Sequence, residues 1–244
     1  MTKKERVDVL LVERGLAETR AKAQALVLAG EVVADDRRVD KPGTRIDVDS
    51  ELRLKGEGLK FVSRGGLKLE AALDHFAIDV TQALCADIGA STGGFTDCLL
   101  QRGAKKVWAI DVGKAQLHEK LRQDPRVVSR EGVNARALSE AELPERVQVA
   151  VVDVSFISLA LVLPPLVKRM AKGAVLVALV KPQFEVGPEK VEKGGVVRDA
   201  AARAEAIERN RALVEGLGLN VLGVIDSPIA GPAGNVEALL VART

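Results

Sequence analysis

From about residue 63 onward the chain carries short apolar runs at regular intervals: 83–87, 107–111, 127–130, 149–153, 174–180, 221–225 and 237–242. Runs of this length, bounded by turn residues, read as strands buried on both faces. The stretches between them have room for helices, among them 67–76 and a strongly polar one over 200–217. Strands and helices in this alternation predict an α/β domain on a doubly wound, mostly parallel seven-stranded sheet. Only a loop separates the last two strands, so one of them is expected to run antiparallel.

The first 55 residues follow a different pattern. Val7, Leu10, Leu11 and Val12 form a helical stripe that stops at Gly15. A second helix is predicted from Thr19 as N-cap, turning Ala23, Leu26, Val27 and Ala29 inward and ending at Gly30. Segments 31–34, 45–48 and 51–54 alternate like strands, with turn chemistry at Asp35-Asp36 and Lys41-Pro42-Gly43. Lys55-Gly56-Glu57-Gly58 reads as a linker. The predicted organisation is a small α+β domain over 1–58, an interdomain segment over 59–62 and the α/β domain over 63–244.

Composition sharpens this outline in a few places. Aromatic residues are 2% of the chain against 47% hydrophobic in total, so the core must be aliphatic. The net charge of +2 names no partner, but Lys3, Lys4, Arg6, Arg14, Arg20 and Lys22 gather around the two N-terminal helices. Such a cluster suits either a solvated face or RNA phosphates. The polar start lacks a signal-type apolar stretch, and the longest apolar run, 174–180, is far below a membrane span. A cytoplasmic protein without a membrane partner is expected. Cys85 and Cys98 are isolated and only two His are present, so no metal site is expected.

Candidate chemistry concentrates at Leu84 to Thr96, which reads as a buried strand, a small-residue loop and a helix start. Its glycines would let a nucleoside group approach the backbone, and Thr92 is predicted to cap the helix. Asp111, about twenty residues on, stands where a doubly wound sheet grips a ribose diol. The glycines are spaced Gly89-x-x-x-Gly93-Gly94 rather than as the dinucleotide fingerprint. This favours a cofactor without pyrophosphate, S-adenosylmethionine, over a nicotinamide dinucleotide. Its predicted contacts are Asp87 to the amino group, the loop Gly89, Ala90, Ser91, Thr92, Gly93 and Gly94, then Asp111 with Val112, and Asn134 at the adenine edge. A structural turn in some other nucleotide enzyme is the competing reading.

Four further polar residues stand at element ends: Lys68, Asp153, Lys181 and Glu237. Singly they could be a surface lysine, a helix cap and a rim charge. Lys181 is the exception, since it must emerge from a buried strand edge. In an open α/β sheet the site lies beyond the carboxyl ends of the strands, which would let Asp153, Lys181 and Glu237 converge, with Lys68 delivered by the preceding helix. The loop after Lys181, with 182–187 and 193–199, reads as a lid over them, with a plain surface loop as the competing reading.

Two resemblances complete the picture. Arg6-Val7-Asp8, Leu10, Arg14-Gly15-Leu16-Ala17, Thr19-Arg20, Ala23, Gly30 and Val32 resemble the αL (S-four) RNA-binding module, with Asp35-Asp36 departing from its usual turn. Ser63-Arg64-Gly65-Gly66-Leu67-Lys68-Leu69, Gly89 to Thr96, Asp153 to Leu159, Val180 to Gly187 and Gly234-Asn235-Val236-Glu237 resemble the TlyA family, whose catalytic domain is related to FtsJ. The resemblance spans nearly the whole chain. It implies a Rossmann-like methyltransferase that modifies a cytidine ribose 2′-hydroxyl in ribosomal RNA or a ribosomal subunit, with Lys68, Asp153, Lys181 and Glu237 as catalytic tetrad. The end at Thr244 suggests the large-subunit-only group. Phe61 stands where the family linker often has Trp. Lys181 is expected to orient or deprotonate the 2′-hydroxyl. RNA contacts are expected from Lys4, Arg6, Arg14, Arg20, Lys22, Lys41, Arg64 and Arg136. Competing functions are an inactive RNA-binding assembly factor, a haemolysin and a dehydrogenase.

Overall fold

The computed structural model describes residues 4–35, 37–54, 60–231 and 233–244. The expected linker 55–58, Leu59, and the Asp36 half of the expected turn lie outside the described residues. The chain divides into two compact units, Met1–Leu59 and Lys60–Thr244.

The first unit runs β1 (Lys4–Arg6), α1 (Val7–Glu13), α2 (Arg20–Leu28), β2 (Val32–Ala34), β3 (Arg37–Arg38), β4 (Arg45–Asp47) and β5 (Leu52–Leu54). Thr19 does cap α2, its hydroxyl accepting from the Lys22 amide at 3.2 Å. Gly15 and Gly30 end the two helices with φ of +71° and +72°, values that favour glycine. Val7, Leu10, Leu11, Ala23, Val27 and Val32 form the core. β1 pairs with β4, and β2 lies between β3 and β5, all antiparallel. β1 and β3 had no hydrophobic alternation to announce them. Asp35 takes φ +46°, a left-handed conformation that Asp tolerates better than most residues.

The second unit opens with α3 (Gly65–His75), β6 (Leu84–Ile88), α4 (Gly94–Gln101), β7 (Lys106–Asp111), α5 (Glu119–Arg122) and β8 (Val127–Glu131). It continues through β9 (Val147–Val152), α6 (Leu159–Val167), β10 (Met170–Val180), α7 (Pro182–Glu185), α8 (Ala200–Gly216), β11 (Asn220–Asp226) and β12 (Ala238–Arg243). These strands form one seven-stranded sheet in the order β11-β12-β10-β9-β6-β7-β8. Only β12 runs against its neighbours. Lys60–Val62, expected in the linker, pack with this unit: Phe61 is buried in its core and the Val62 amide donates to Asp97 Oδ2 at 2.9 Å.

Consecutive residues of the central strands serve opposite cores. Val149, Val151, Val177 and Leu179 pack under α3 and α4, while Ala150, Val152, Leu176 and Val180 pack under α6 and α8. This is why the strands read as unbroken apolar runs. β10 starts earlier than expected because Met170 pairs with Val147 before a register shift, with Gly173 at φ +77°. Strand order reverses between β6 and β9, a crevice where ligands of open α/β sheets bind. Among the described residues no helix is long and apolar enough to cross a membrane.

Candidate active site

The carboxyl edge at the reversal collects the predicted chemistry. β10 lies between β9 and β12, with Ala178 level with Val152 and Val180 level with Ala238. That register puts Lys181, just past β10, between Asp153 after β9 and Glu237 before β12. The Lys181 ammonium is 2.5 Å from Asp153 Oδ1 and donates to Ser155 Oγ at 2.9 Å. Lys68, in the first turn of α3, is ion-paired with Glu237 Oε2. Glu237 is fully buried and Lys68 nearly so, which removes the surface-lysine and rim-charge alternatives. Glu237 Oε1 is buried without a hydrogen-bond partner. It also fills the space a Cβ at Gly231 would need, at 2.6 Å.

The glycine loop follows β6. Gly89 has φ +84°, and a Cβ there would lie 2.4 Å from the Asp153 carbonyl oxygen. The loop and the Asp153 segment are therefore in direct backbone contact. The predicted Thr92 cap is not formed: α4 starts at Gly94, its N-cap is Gly93 with φ +100°, and Thr92 is exposed. The helix begins later because Gly93 makes the left-handed turn that Thr92 could not make without strain. Added Cβ atoms at Gly93 and Gly94 would meet Leu121 Cδ1 and Ser63 Oγ, each at 2.2 Å. These two glycines thus admit neighbouring protein groups as well.

Asp87 is wholly buried. Its Oδ2 accepts from the Thr96 hydroxyl at 2.7 Å, and its Oδ1 has no hydrogen-bond partner. Burial pushes this carboxyl up to about 7, helped by the Asp153 and Asp111 charges and opposed by Thr96. Asp111 accepts from the Ser91 amide at 2.8 Å and the Gly113 amide at 2.6 Å, clasping the loop. A carboxylate has about four lone-pair sites, so hydroxyls can still be received. Val112 beside it is exposed, and Asn134 Oδ1 accepts from the Arg136 amide at 3.1 Å.

Three further contributors escaped sequence reasoning. Phe156 is 89% exposed at φ +62°, its ring 5.0 Å from that of Phe184. Asn235 is buried and pins the expected lid, accepting from the Val197 amide and donating to the Gly195 carbonyl, both at 2.8 Å. Buried Glu185 accepts from the Ser158 hydroxyl and the Leu159 amide, each at 2.8 Å, fixing the start of α6. A polar residue two places from Glu237, and a glutamate in a short apolar segment, were the available signals.

The expected RNA contacts divide by environment. Arg6 and Arg20 share the buried Asp8 carboxylate, at 2.9 and 3.1 Å, and Gln24 donates to it at 2.9 Å. Those bonds hold Asp8 well below the usual carboxylate range. Arg14 is committed to the carbonyls of Val48 and Ser50. Lys22 pairs with Glu18 at 3.1 Å, Arg64 is half-buried at the start of α3, and Lys4, Lys41 and Arg136 are exposed. Cys85 and Cys98 are buried, their thiols pushed up to about 12 chiefly by burial. Among the described residues no group of three or more His, Cys, Asp or Glu is placed to hold a metal.

This sheet order, with an antiparallel β12 and a glycine loop at the reversal, defines a methyltransferase-type α/β domain preceded by a small basic-helix unit. Residues 61–244 match the FtsJ-like methyltransferase family, and residues 5–52 match the S4 domain. The chain is 51% identical to YqxC of Bacillus subtilis, over 98% of this chain and 85% of that one. It is 47% identical to the 16S/23S rRNA (cytidine-2'-O)-methyltransferase TlyA of Mycobacterium tuberculosis, over 100% of this chain and 91% of that one. A solved hemolysin-named structure from Streptococcus thermophilus superposes with a TM-score of 0.78 at 48% identity, covering 100% of this chain and 90% of that one. The protein belongs to the TlyA family, with an S4 domain followed by an FtsJ-like methyltransferase domain.

Proposed function

We propose that the protein methylates the 2′-hydroxyl of a cytidine ribose in ribosomal RNA, using S-adenosylmethionine. The supporting observation is the pair of ion pairs, Lys68–Glu237 and Lys181–Asp153, at the strand edge beside the glycine loop. The cofactor fits the chemistry of the crevice. Asp87 Oδ1, a buried acceptor without a donor, suits its amino group. The loop Gly89 to Gly94 would border the methionine part, Asp111 and Val112 the ribose, and Asn134 the adenine. Bound there, S-adenosylmethionine supplies a methyl group on a positively charged sulfur.

The remaining work falls to the chain's own residues. A ribose hydroxyl is a weak nucleophile, and much of the acceleration must come from holding its oxygen in line. Lys181, anchored by Asp153 and Ser155, is the residue we assign to orient that oxygen and receive its proton. To receive that proton it must enter the step as the neutral amine, held in place by Asp153 and Ser155. Lys68 and Glu237 hold the neighbouring edge rigid. Phe156 offers an exposed ring on which the target base could stack, an interaction worth about 1–3 kcal/mol in RNA-binding sites. Lys4, Arg6, Arg20, Lys22 and Lys41 would meet RNA phosphates, as would Arg64 and Arg136 on the second unit; Arg14 would serve through the fold of the first.

Both ribosomal RNAs stand in the name of the M. tuberculosis relative; the large-subunit RNA is the substrate we propose, and the cytoplasm the place of action. Tritiated methyl transfer to unmodified ribosomal particles, followed by mapping of 2′-O-methyl sites in both RNAs with and without the protein, tests this. A new site on a large-subunit cytidine is the expected result. RNA binding without transfer would replace the reading with that of an assembly factor.

A further inference from the structure

Thr96 lies in the first turn of α4 and is wholly buried. A hydroxyl there must find a partner, and it donates to Asp87 Oδ2 at 2.7 Å. The torsion that turns a carboxyl group is broad, so a free Asp side chain would not present one oxygen reliably. Threonine is stiff at χ1 and suited to pinning it. The bond leaves Asp87 Oδ1 buried and without a partner near the carboxyl end of β6, beside β9, where the strand order reverses.

We propose that Thr96 is a positioning residue, whose hydroxyl fixes the Asp87 carboxylate so that Oδ1 receives the ammonium of the bound cofactor's amino-acid end. The proposal rests on the S-adenosylmethionine reading above. The surroundings of Asp87 explain why such a device is needed. Asp153 after β9 and Asp111 at the end of β7 both act on it with negative charge, and Cys85 on its own strand is a neutral thiol. Lys181, beyond β10, is paired with Asp153. Burial and the two carboxylates favour protonated Asp87, whereas the Thr96 bonds favour the ionised form that an ammonium requires. Cofactor binding should therefore release a proton near neutral pH, and Thr96 should set where.

The test uses the full chain. Cofactor affinity is measured by calorimetry from about pH 6 to 9 for wild type, Thr96→Val, Thr96→Ala and Thr96→Ser, in buffers of different ionisation enthalpy. The Asp87 carboxyl is titrated separately by carbon NMR without cofactor. Wild-type affinity should rise with pH through about 7. Thr96→Val should weaken binding about tenfold at neutral pH and move the Asp87 titration upward, while Thr96→Ser should stay within about threefold. Thr96→Ala gives the same readout if the valine variant folds poorly. Unchanged affinity and an unchanged Asp87 titration in variants lacking the hydroxyl would overturn the proposal while leaving the cofactor reading intact. Wild-type protein that binds no S-adenosylmethionine at any pH would overturn both.

Discussion

Lys68 and Glu237 give the sharpest way to separate what the site costs the fold from what it does for chemistry. Their side chains are 9% and 1% exposed, so each charge depends on the other. Removing one partner of a buried pair leaves the other uncompensated, at about 3–5 kcal/mol. Lys68→Met should therefore cost that much, since Glu237 would keep one oxygen already without a donor and lose its cation. At about 2–4 °C per kcal/mol for a domain of this size, the loss is roughly 6–20 °C in Tm. Glu237→Met should do similar damage by stranding the ammonium. The double variant, Lys68→Met with Glu237→Met, replaces the pair by two unbranched apolar side chains of similar reach. It should recover to within about 1 kcal/mol of wild type, because a well-packed apolar substitute often matches a buried ion pair. Urea and thermal unfolding of the four proteins close the cycle. All three variants should lose methyl transfer, so a well-folded double variant without activity would assign the pair to the reaction. Additive single and double costs, or single losses below about 1 kcal/mol, would refute the premise that burial makes the pair interdependent.

Other perturbations test separate features. Phe156 sits at φ +62° with 89% of its surface exposed, so Phe156→Gly should raise stability by about 1–2 kcal/mol while reducing transfer to RNA. Thermal melts and single-turnover methylation read the two effects. Gly94→Ala would set a Cβ 2.2 Å from Ser63 Oγ and 2.9 Å from the Gly66 amide, forcing α3 and α4 apart. Overpacking of that kind costs about 1–3 kcal/mol, checked by urea unfolding. Asp8 is held ionised chiefly by Arg6, so its contribution is fully present above its unfolded value of about 4 and is lost as pH falls below it. Asp8→Asn should therefore destabilise the N-terminal unit near neutral pH, with a gap that narrows toward about pH 2 in melts followed across that range.

The order of helices and strands was legible because each depended on a sequence pattern: residues 149–152 and 174–180 are apolar on both faces, and Val7–Glu13 on one stripe. What stayed hidden had no period. Lys4–Arg6 and Arg37–Arg38 are polar strands that exist through pairing with distant segments, Arg45–Asp47 and Val32–Ala34. The same distinction runs through the site. Lys181 and Asp153 announced themselves by ending apolar runs, and strand register alone brings them to neighbouring edges. Lys68 comes from a helix and not from a strand end, so pattern ties it to Glu237 least directly, and their contact spans 169 residues of sequence. The glycine loop was the most visible motif, and its helix cap is the part that the structure places elsewhere, at Gly93. A motif states which residues are small, but whether the space is left for a ligand or for Leu121 and Ser63 is decided by what packs above it. Thr92 was expected as the cap and is exposed, while Thr96, four residues on, carries the hydroxyl that reaches Asp87. Between the two stands Gly93 in its left-handed turn, with α4 starting at Gly94 and Thr96 buried in its first turn.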